Sequence, residues 1–222
     1  MFPDPGRHSV KICGITRPEQ AAEIFALGAD AVGINLWPKS KRHMPLPVAM
    51  ASLRGVAARN AFVAVLVNAD DALLDATIAS GLFQALQLHG DETPRDVERL
   101  MQRGVNVIKA LQVRDAASLP RIGEFPCVAI LLDAFNPGTY GGGGHSFPWE
   151  LAARAKEMFP DKLILLSGGL HAGNVRQAVR QTTPGAVDVA SGVESQPGVK
   201  DLALVGRFIA GARTAWLEVS AP

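Results

Sequence analysis

The sequence predicts a single-domain (β/α)8 barrel, an α/β fold in which eight parallel strands close into a ring inside a shell of helices. Three observations predict it. Short apolar runs rich in Val, Ile, Leu and Ala alternate with helix-like stretches, eight times in all. The runs are continuously apolar rather than alternating, as expected of strands buried on both faces. The chain has 222 residues, close to the roughly 250 that one such barrel takes, which leaves nothing for a second domain. The expected domain is therefore 1–222, with residues 1–8 as a frayed start: that stretch holds Pro3, Pro5 and Gly6 and lacks the apolar core of a signal peptide.

The elements follow in order. Val10–Cys13 reads as a first strand rich in β-branched residues, with Thr16 and Pro18 opening a helix that runs to Leu27 and stops at Gly28. Residues 31–36 form the second strand. A loop, 37–47, carries Lys39, Lys41, Arg42 and His43 before a helix over 48–59. The third strand is 62–67, and Asp70 or Asp71 caps the next helix. Strand four, 83–88, ends in His89-Gly90, and Thr93-Pro94 opens a helix that closes at Gly104. Strand five is 105–111, followed by a short helix from Asp115 to about Ile122. Strand six, 127–132, ends at Asp133 and leads into a long glycine-rich loop, 134–146. A helix over 149–158 precedes strand seven, 163–166, which ends in Ser167-Gly168-Gly169. Asn174 stands early in the helix after it. Strand eight, 186–190, ends in Ser191-Gly192-Val193-Glu194, and a last helix covers 201–215. The runner-up fold, a doubly wound open sheet, would carry a phosphate fingerprint after strand one, and Cys13-Gly14-Ile15-Thr16-Arg17-Pro18 is not one.

Composition narrows the function. Apolar residues make up 48% of the chain, charged ones 19%, and the net charge is +1, so there is neither a nucleic-acid tract nor an acidic tail. No apolar run reaches the roughly 18 to 20 residues of a membrane span. The two cysteines, Cys13 and Cys127, are far apart and in no metal-ligand spacing. This argues for a reducing compartment, and a cytoplasmic protein without metal, nucleic-acid or membrane partners is expected.

In a barrel of this kind the active site lies at the C-terminal ends of the strands. The residues there are Cys13, Asn35 with Arg42, His89, Asp133, Ser167 to Gly169, and Ser191-Gly192. Gly168, Gly169, Ser191 and Gly192 end strands seven and eight just before helix starts, where bare amides bind anions and glycine permits close approach; this is the recurrent phosphate site of the fold. Asp133 ends an apolar strand, where partial desolvation suits a general acid. Cys13 ends strand one, and Lys11, two residues earlier and on the same side of the strand, is placed to tune its proton affinity. Cys127 starts its strand at the opposite pole and reads as structural. Arg42 is either part of a solvated basic loop or a fork for a substrate carboxylate. His89 orients substrate or bonds the rim backbone. Asp188 either pairs with Lys11 inside the barrel or faces the substrate.

Taken together, Lys11-Ile12-Cys13-Gly14-Ile15-Thr16, Gln87-Leu88-His89-Gly90, Leu132-Asp133, Leu166-Ser167-Gly168-Gly169-Leu170 with Asn174-Val175, and Val187-Asp188-Val189 with Ser191-Gly192-Val193-Glu194 and Gly198-Val199-Lys200-Asp201 resemble the phosphoribosylanthranilate isomerase family. The match runs in order from about Val10 to Ala215. The resemblance implies a TIM barrel of the tryptophan pathway. It would catalyse, without cofactor, the Amadori rearrangement of N-(5-phosphoribosyl)anthranilate to 1-(2-carboxyphenylamino)-1-deoxyribulose 5-phosphate. It also implies Cys13 as general base, Asp133 as general acid and Arg42 as the anchor of the anthranilate carboxylate. The phosphate ligands would be backbone groups around Gly143, Gly168, Gly169, Ser191 and Gly192. The expected partner is this small phosphorylated aminoaldose, and the expected assembly a monomer or weak homodimer.

The chain departs from the family in three places. The loop after strand six reads Gly141-Gly142-Gly143-Gly144 where Gly-Gly-Thr-Gly is usual. Asn35 and Leu36 stand where strand two commonly ends in aromatics, and Pro148 where aspartate is common. Two other readings compete. A histidine-pathway aminoaldose isomerase would be expected to have aspartate in place of Cys13. A phosphate-binding barrel without catalysis would have no need of both Cys13 and Asp133.

Overall fold

The computed structural model describes residues 2–57, 61–134 and 148–220. Eight strands alternate with helices: β1 (Ser9–Cys13), α1 (Gln20–Ala26), β2 (Ala31–Asn35), α2 (Leu46–Ala57), β3 (Ala61–Leu66), α3 (Asp71–Ala79), β4 (Ala85–Leu88), α4 (Pro94–Gln102), β5 (Val107–Val113), a 3-10 stretch (Ala116–Glu124), β6 (Ala129–Ala134), α5 (Trp149–Met158), β7 (Leu163–Leu166), α6 (Val175–Thr182) and β8 (Ala186–Val189). A 3-10 turn (Ser191–Val193), the hairpin β9 (Glu194–Gln196) and β10 (Val199–Lys200), and α7 (Leu202–Ser220) complete the chain. The strands β1 to β8 close a barrel in sequence order, and β8 pairs in parallel with β1.

The period-2 geometry of strands sorts their side chains. Val10 and Ile12 join the layer packed between barrel and helices. Lys11 and Cys13 therefore point the other way, into the barrel. The interior below them is filled by small and branched residues, among them Ala31, Val63, Ile108, Leu131 and Leu165, with Phe2 packed against them. This is a packed core rather than a pore. Ser9 apart, the buried polar residues on the inner face cluster toward the C-terminal pole: Lys11, Cys13, Gln87, Asp133 and Asp188. On β5 the parity is reversed for Lys109, which lies on the outer row with Val107 and Leu111.

Local chemistry explains the boundaries. Thr93 and Asp96 form a reciprocal capping box with Pro94 at the first helical position of α4. The Asp70 side chain accepts from the Leu73 amide at the start of α3. The stretch after Asp115 is 3-10 rather than α-helical because Pro120 inside it has no N–H to give to an i→i−4 ladder. Two expectations are corrected. Strand β6 starts at Ala129, so Cys127 precedes it, buried, its thiol 3.6 Å from the Ala129 carbonyl oxygen. Thr16 does not cap α1, whose N-cap is Glu19; its hydroxyl donates instead to the Gly198 carbonyl, 3.0 Å away. No described helix is long and apolar enough to cross a membrane.

Candidate active site

The C-terminal pole of the barrel gathers the polar residues of β1, β4, β6 and β8 because all the strands run the same way. Lys11 and Asp188 are register partners on β1 and β8. Their side chains meet with Lys11 Nζ 2.6 Å from Asp188 Oδ1, fully buried on the Lys11 side. The Ser167 hydroxyl lies 3.4 Å from the other Asp188 oxygen. The Lys11 ammonium also faces the Cys13 sulfur and favours its thiolate. Gly33 on β2 makes this contact possible: a Cβ there would stand 2.7 Å from Cys13 Sγ and 3.1 Å from Lys11 Nζ. Burial pushes the Cys13 thiol up from its ordinary value, Lys11 pulls against it, and Asp188 adds to the rise. For Lys11, burial disfavours the ammonium, but Asp188 and then the thiol outweigh it, so the lysine stays firmly charged.

Across the pole, Asp133 ends β6. One of its oxygens accepts from the Ala134 amide at 2.9 Å; the other lies 3.3 Å from His89 Nε2. That approach is off the hydrogen-bonding direction, and Nε2 is a buried atom without a hydrogen-bond partner among the described residues. The opposite ring nitrogen, Nδ1, lies 3.0 Å from Gln87 Nε2. This contact with the Gln87 amide orients the ring so that Nε2 faces Asp133. The His89 segment is gripped from behind. Lys109 Nζ binds the carbonyls on either side of it, Leu88 O at 3.1 Å and Gly90 O at 2.8 Å, and pairs with Glu92 at 2.7 Å. Glu92 in turn accepts from the Gly90 amide at 2.9 Å and the Asn68 amide at 2.8 Å. Burial lowers the Lys109 ammonium and Glu92 opposes it.

Arg42 comes from the loop after β2. Its stem crosses Gly14, where the backbone is left-handed (φ +77°) and a Cβ would stand 2.5 Å from Arg42 Cδ. Its guanidinium makes a two-pronged pair with Glu194 of β9, Nε to Oε1 and Nη2 to Oε2, both 2.8 Å. Glu194 Oε1 also accepts from Lys200 Nζ at 2.7 Å and the Gly198 amide at 3.1 Å. Burial acts to raise the Glu194 carboxyl, but Arg42 and Lys200 outweigh it and hold it below its usual range.

The glycine rim completes the pole. Gly168 and Gly169 follow β7, and Asn174 ties this loop together by donating to the Gly169 carbonyl at 2.9 Å and accepting from the His171 amide at 2.8 Å. Ser191 and Gly192 follow β8, and Gly192 packs against the backbone of Leu170 and His171, so the two loops touch. Gly143 and the rest of the 141–144 stretch lie outside the described residues.

Cys13, Asp133, His89, Arg42 and the glycines of loops seven and eight therefore share one pole. Asp188 is also there, in the first of the two arrangements expected of it: paired with Lys11. Sequence reasoning did not find roles for Gln87, Gly33, Lys109, Glu92, Glu194 or Lys200. The sequence signal for these residues was that Gln87, Glu194 and Lys200 fall within the stretches that carry the family resemblance; a pairing over 152 positions, as for Arg42 and Glu194, leaves no local pattern.

A family model for N-(5′-phosphoribosyl)anthranilate (PRA) isomerase matches residues 10–211. The N-(5′-phosphoribosyl)anthranilate isomerase of Geobacter metallireducens is 43% identical over 204 residues, 92% of this chain and 98% of the relative. Among solved structures, the phosphoribosyl anthranilate isomerase of Thermotoga maritima superposes with a TM-score of 0.82 at 38% identity, covering 93% of this chain and 98% of that one. A phosphoribosyl anthranilate isomerase solved in complex with reduced 1-(o-carboxyphenylamino)-1-deoxyribulose 5-phosphate superposes with a TM-score of 0.78 at 36% identity, with the same coverage. With its closed barrel and its polar pole, the chain belongs to the N-(5′-phosphoribosyl)anthranilate isomerase family, isomerases of the aldose–ketose type.

Proposed function

We propose that this chain performs the Amadori rearrangement of N-(5-phosphoribosyl)anthranilate to 1-(2-carboxyphenylamino)-1-deoxyribulose 5-phosphate, a step of tryptophan biosynthesis, with Asp133 as general acid and Cys13 as general base. The observation that carries the assignment is the division of the pole into two chemically different halves: a thiol beside a buried ammonium, and a carboxyl beside a histidine ring. Asp133 protonates the furanose ring oxygen as the anilino nitrogen pushes the ring open to an iminium. The carboxylate left behind is stabilised by the Ala134 amide, with the His89 ring 3.3 Å away. Cys13, as thiolate held by Lys11, removes the C2′ proton, and the enolamine tautomerises to the ketone. One acid and one base on different strands suffice, provided the sugar is held in register between them.

Register comes from the two ends of the substrate. The amides around Gly168, Gly169, Ser191 and Gly192, together with Gly143, bind the phosphate. Arg42 takes the anthranilate carboxylate. Asp188 acts on the substrate through Lys11 rather than by contact. The protein works in the cytoplasm on this small phosphorylated aminoaldose, as one barrel domain over 1–222 and as a monomer or weak homodimer, without nucleic-acid or membrane partners. The test is to generate phosphoribosylanthranilate in situ and follow its anthranilate fluorescence. The signal decays with enzyme present; a signal unchanged by fresh enzyme overturns the assignment.

A further inference from the structure

Glu194 and Lys200 sit at the carboxylate end of the site; neither gives or takes a proton in the proposed reaction, though Lys200 adds to the pull that lowers the Cys13 thiol. Their surroundings are built with care. The Glu194 side chain is buried and receives four donors: Arg42 Nε and Nη2, Lys200 Nζ and the Gly198 amide. The Lys200 side chain is fully buried; its ammonium also binds the Ala190 carbonyl at 3.0 Å, and burial lowers it while Glu194 opposes. The backbone of Lys200 is held at both its N–H and C=O by the Gln20 side-chain amide, at 3.0 and 2.7 Å. Gly198 accepts from both the amide and the hydroxyl of Thr16 at 3.0 Å. The β9–β10 hairpin is thus tied to the loop after β1, and through Glu194 to the loop after β2.

We infer that Glu194, held by Lys200 and the hairpin, is the residue that makes Arg42 selective for a carboxylated aryl amine, because it fixes the guanidinium fork in one orientation. The inference rests on the proposed isomerase reading. An arginine on a loop is ordinarily free to swing, and ordering it on each binding event costs side-chain entropy. Here the Nε and one Nη2 N–H are spent on Glu194, and the stem is laid across Gly14 beside Cys13. The edge left over, Nη1 and the second Nη2 N–H, is a preorganised pair of parallel donors, the geometry that matches a carboxylate. Glu194 alone would cancel the charge of Arg42. Lys200 opposes that: it shares the Glu194 carboxylate, so the negative charge is divided between two basic groups rather than spent on Arg42 alone.

The experiment compares kcat/KM for N-(5-phosphoribosyl)anthranilate with that for N-(5-phosphoribosyl)aniline, which lacks the carboxylate, in wild type, Glu194→Gln and Arg42→Lys. The preference for the carboxylated substrate falls by about tenfold or more in both variants, mainly through KM, as expected for loss of a held, charge-assisted contact. Arg42→Lys sets the loss expected when the anchor itself is gone, and Glu194→Asp, which keeps the carboxylate but draws it back from the fork, reports on the hold even if Glu194→Gln folds poorly. An unchanged preference in any folded variant, or an equal loss on both substrates, overturns the inference. Wild type that leaves both substrates untouched would instead overturn the isomerase reading itself.

Discussion

Lys11 and Asp188 face each other across the β1–β8 seam, in register and buried, with Nζ 2.6 Å from Oδ1, and the same ammonium acts on the Cys13 thiol. Strand geometry makes this a triangle: residues 11 and 13 share a face of β1, and 188 lies on the same inner face of β8. Asp188 fixes the lysine in the charged state, and the lysine opposes the effect of burial on the thiol. Asp188 itself raises the thiol, but by less than Lys11 lowers it.

This ordering predicts a pH profile. With Lys11→Met the Cys13 thiol rises further, so the ascending limb of kcat/KM against pH moves to higher pH and the rate near neutrality falls. The single variant leaves Asp188 buried and unpaired and is destabilised by about 3–5 kcal/mol. Adding Asp188→Asn restores most of that stability without returning the limb to its wild-type position. A steady-state pH series and a urea melt on both variants check the two halves separately.

Cys13→Ala and Asp133→Asn each lower kcat by about 10²- to 10⁴-fold, the usual worth of a positioned acid or base. Far-ultraviolet circular dichroism stays at the wild-type signal, since one substitution removes only a thiol and the other exchanges a carboxyl for an amide of the same shape. Normal turnover by Cys13→Ala would take the base assignment away from the thiol.

Gly33→Ala tests the thiol's position without touching its chemistry. The new methyl would sit 2.7 Å from Sγ and 3.1 Å from Lys11 Nζ, so one of them has to move. Overpacking of this kind costs about 1–3 kcal/mol of stability, read by chemical denaturation, and kcat falls because the thiol leaves its partner. Wild-type kcat in the folded variant would mean that the Lys11–Cys13 contact is unimportant.

Lys109→Met removes the cation that grips Leu88 O, Gly90 O and Glu92 behind His89. Stability falls by about 3–5 kcal/mol, because a mostly buried carboxylate loses its partner. Lys109→Met with Glu92→Gln recovers much of that loss. The two denaturation curves, with and without the second substitution, are the check.

The sequence by itself determined the barrel. Continuous apolar runs at Ile130–Leu132 or Val63–Leu66 can be buried only between two layers, and their regular alternation with capped helices such as the one opened by Thr93 and Pro94 admits one closed parallel arrangement. It also put Cys13, His89, Asp133 and the Gly168-Gly169 pair at one pole, because position at a strand's C-terminal end is a local property. Tertiary structure decided the partnerships. Whether Asp188 meets Lys11 depends on the β1–β8 register over a separation of 177 positions, and whether Arg42 is held depends on a hairpin 152 positions away. The need for glycine at 33 likewise comes from a side chain on the neighbouring strand. Local pattern carries burial and direction. Pairing across the barrel is set only when the ring closes, since register is a relation between strands and no single strand encodes it.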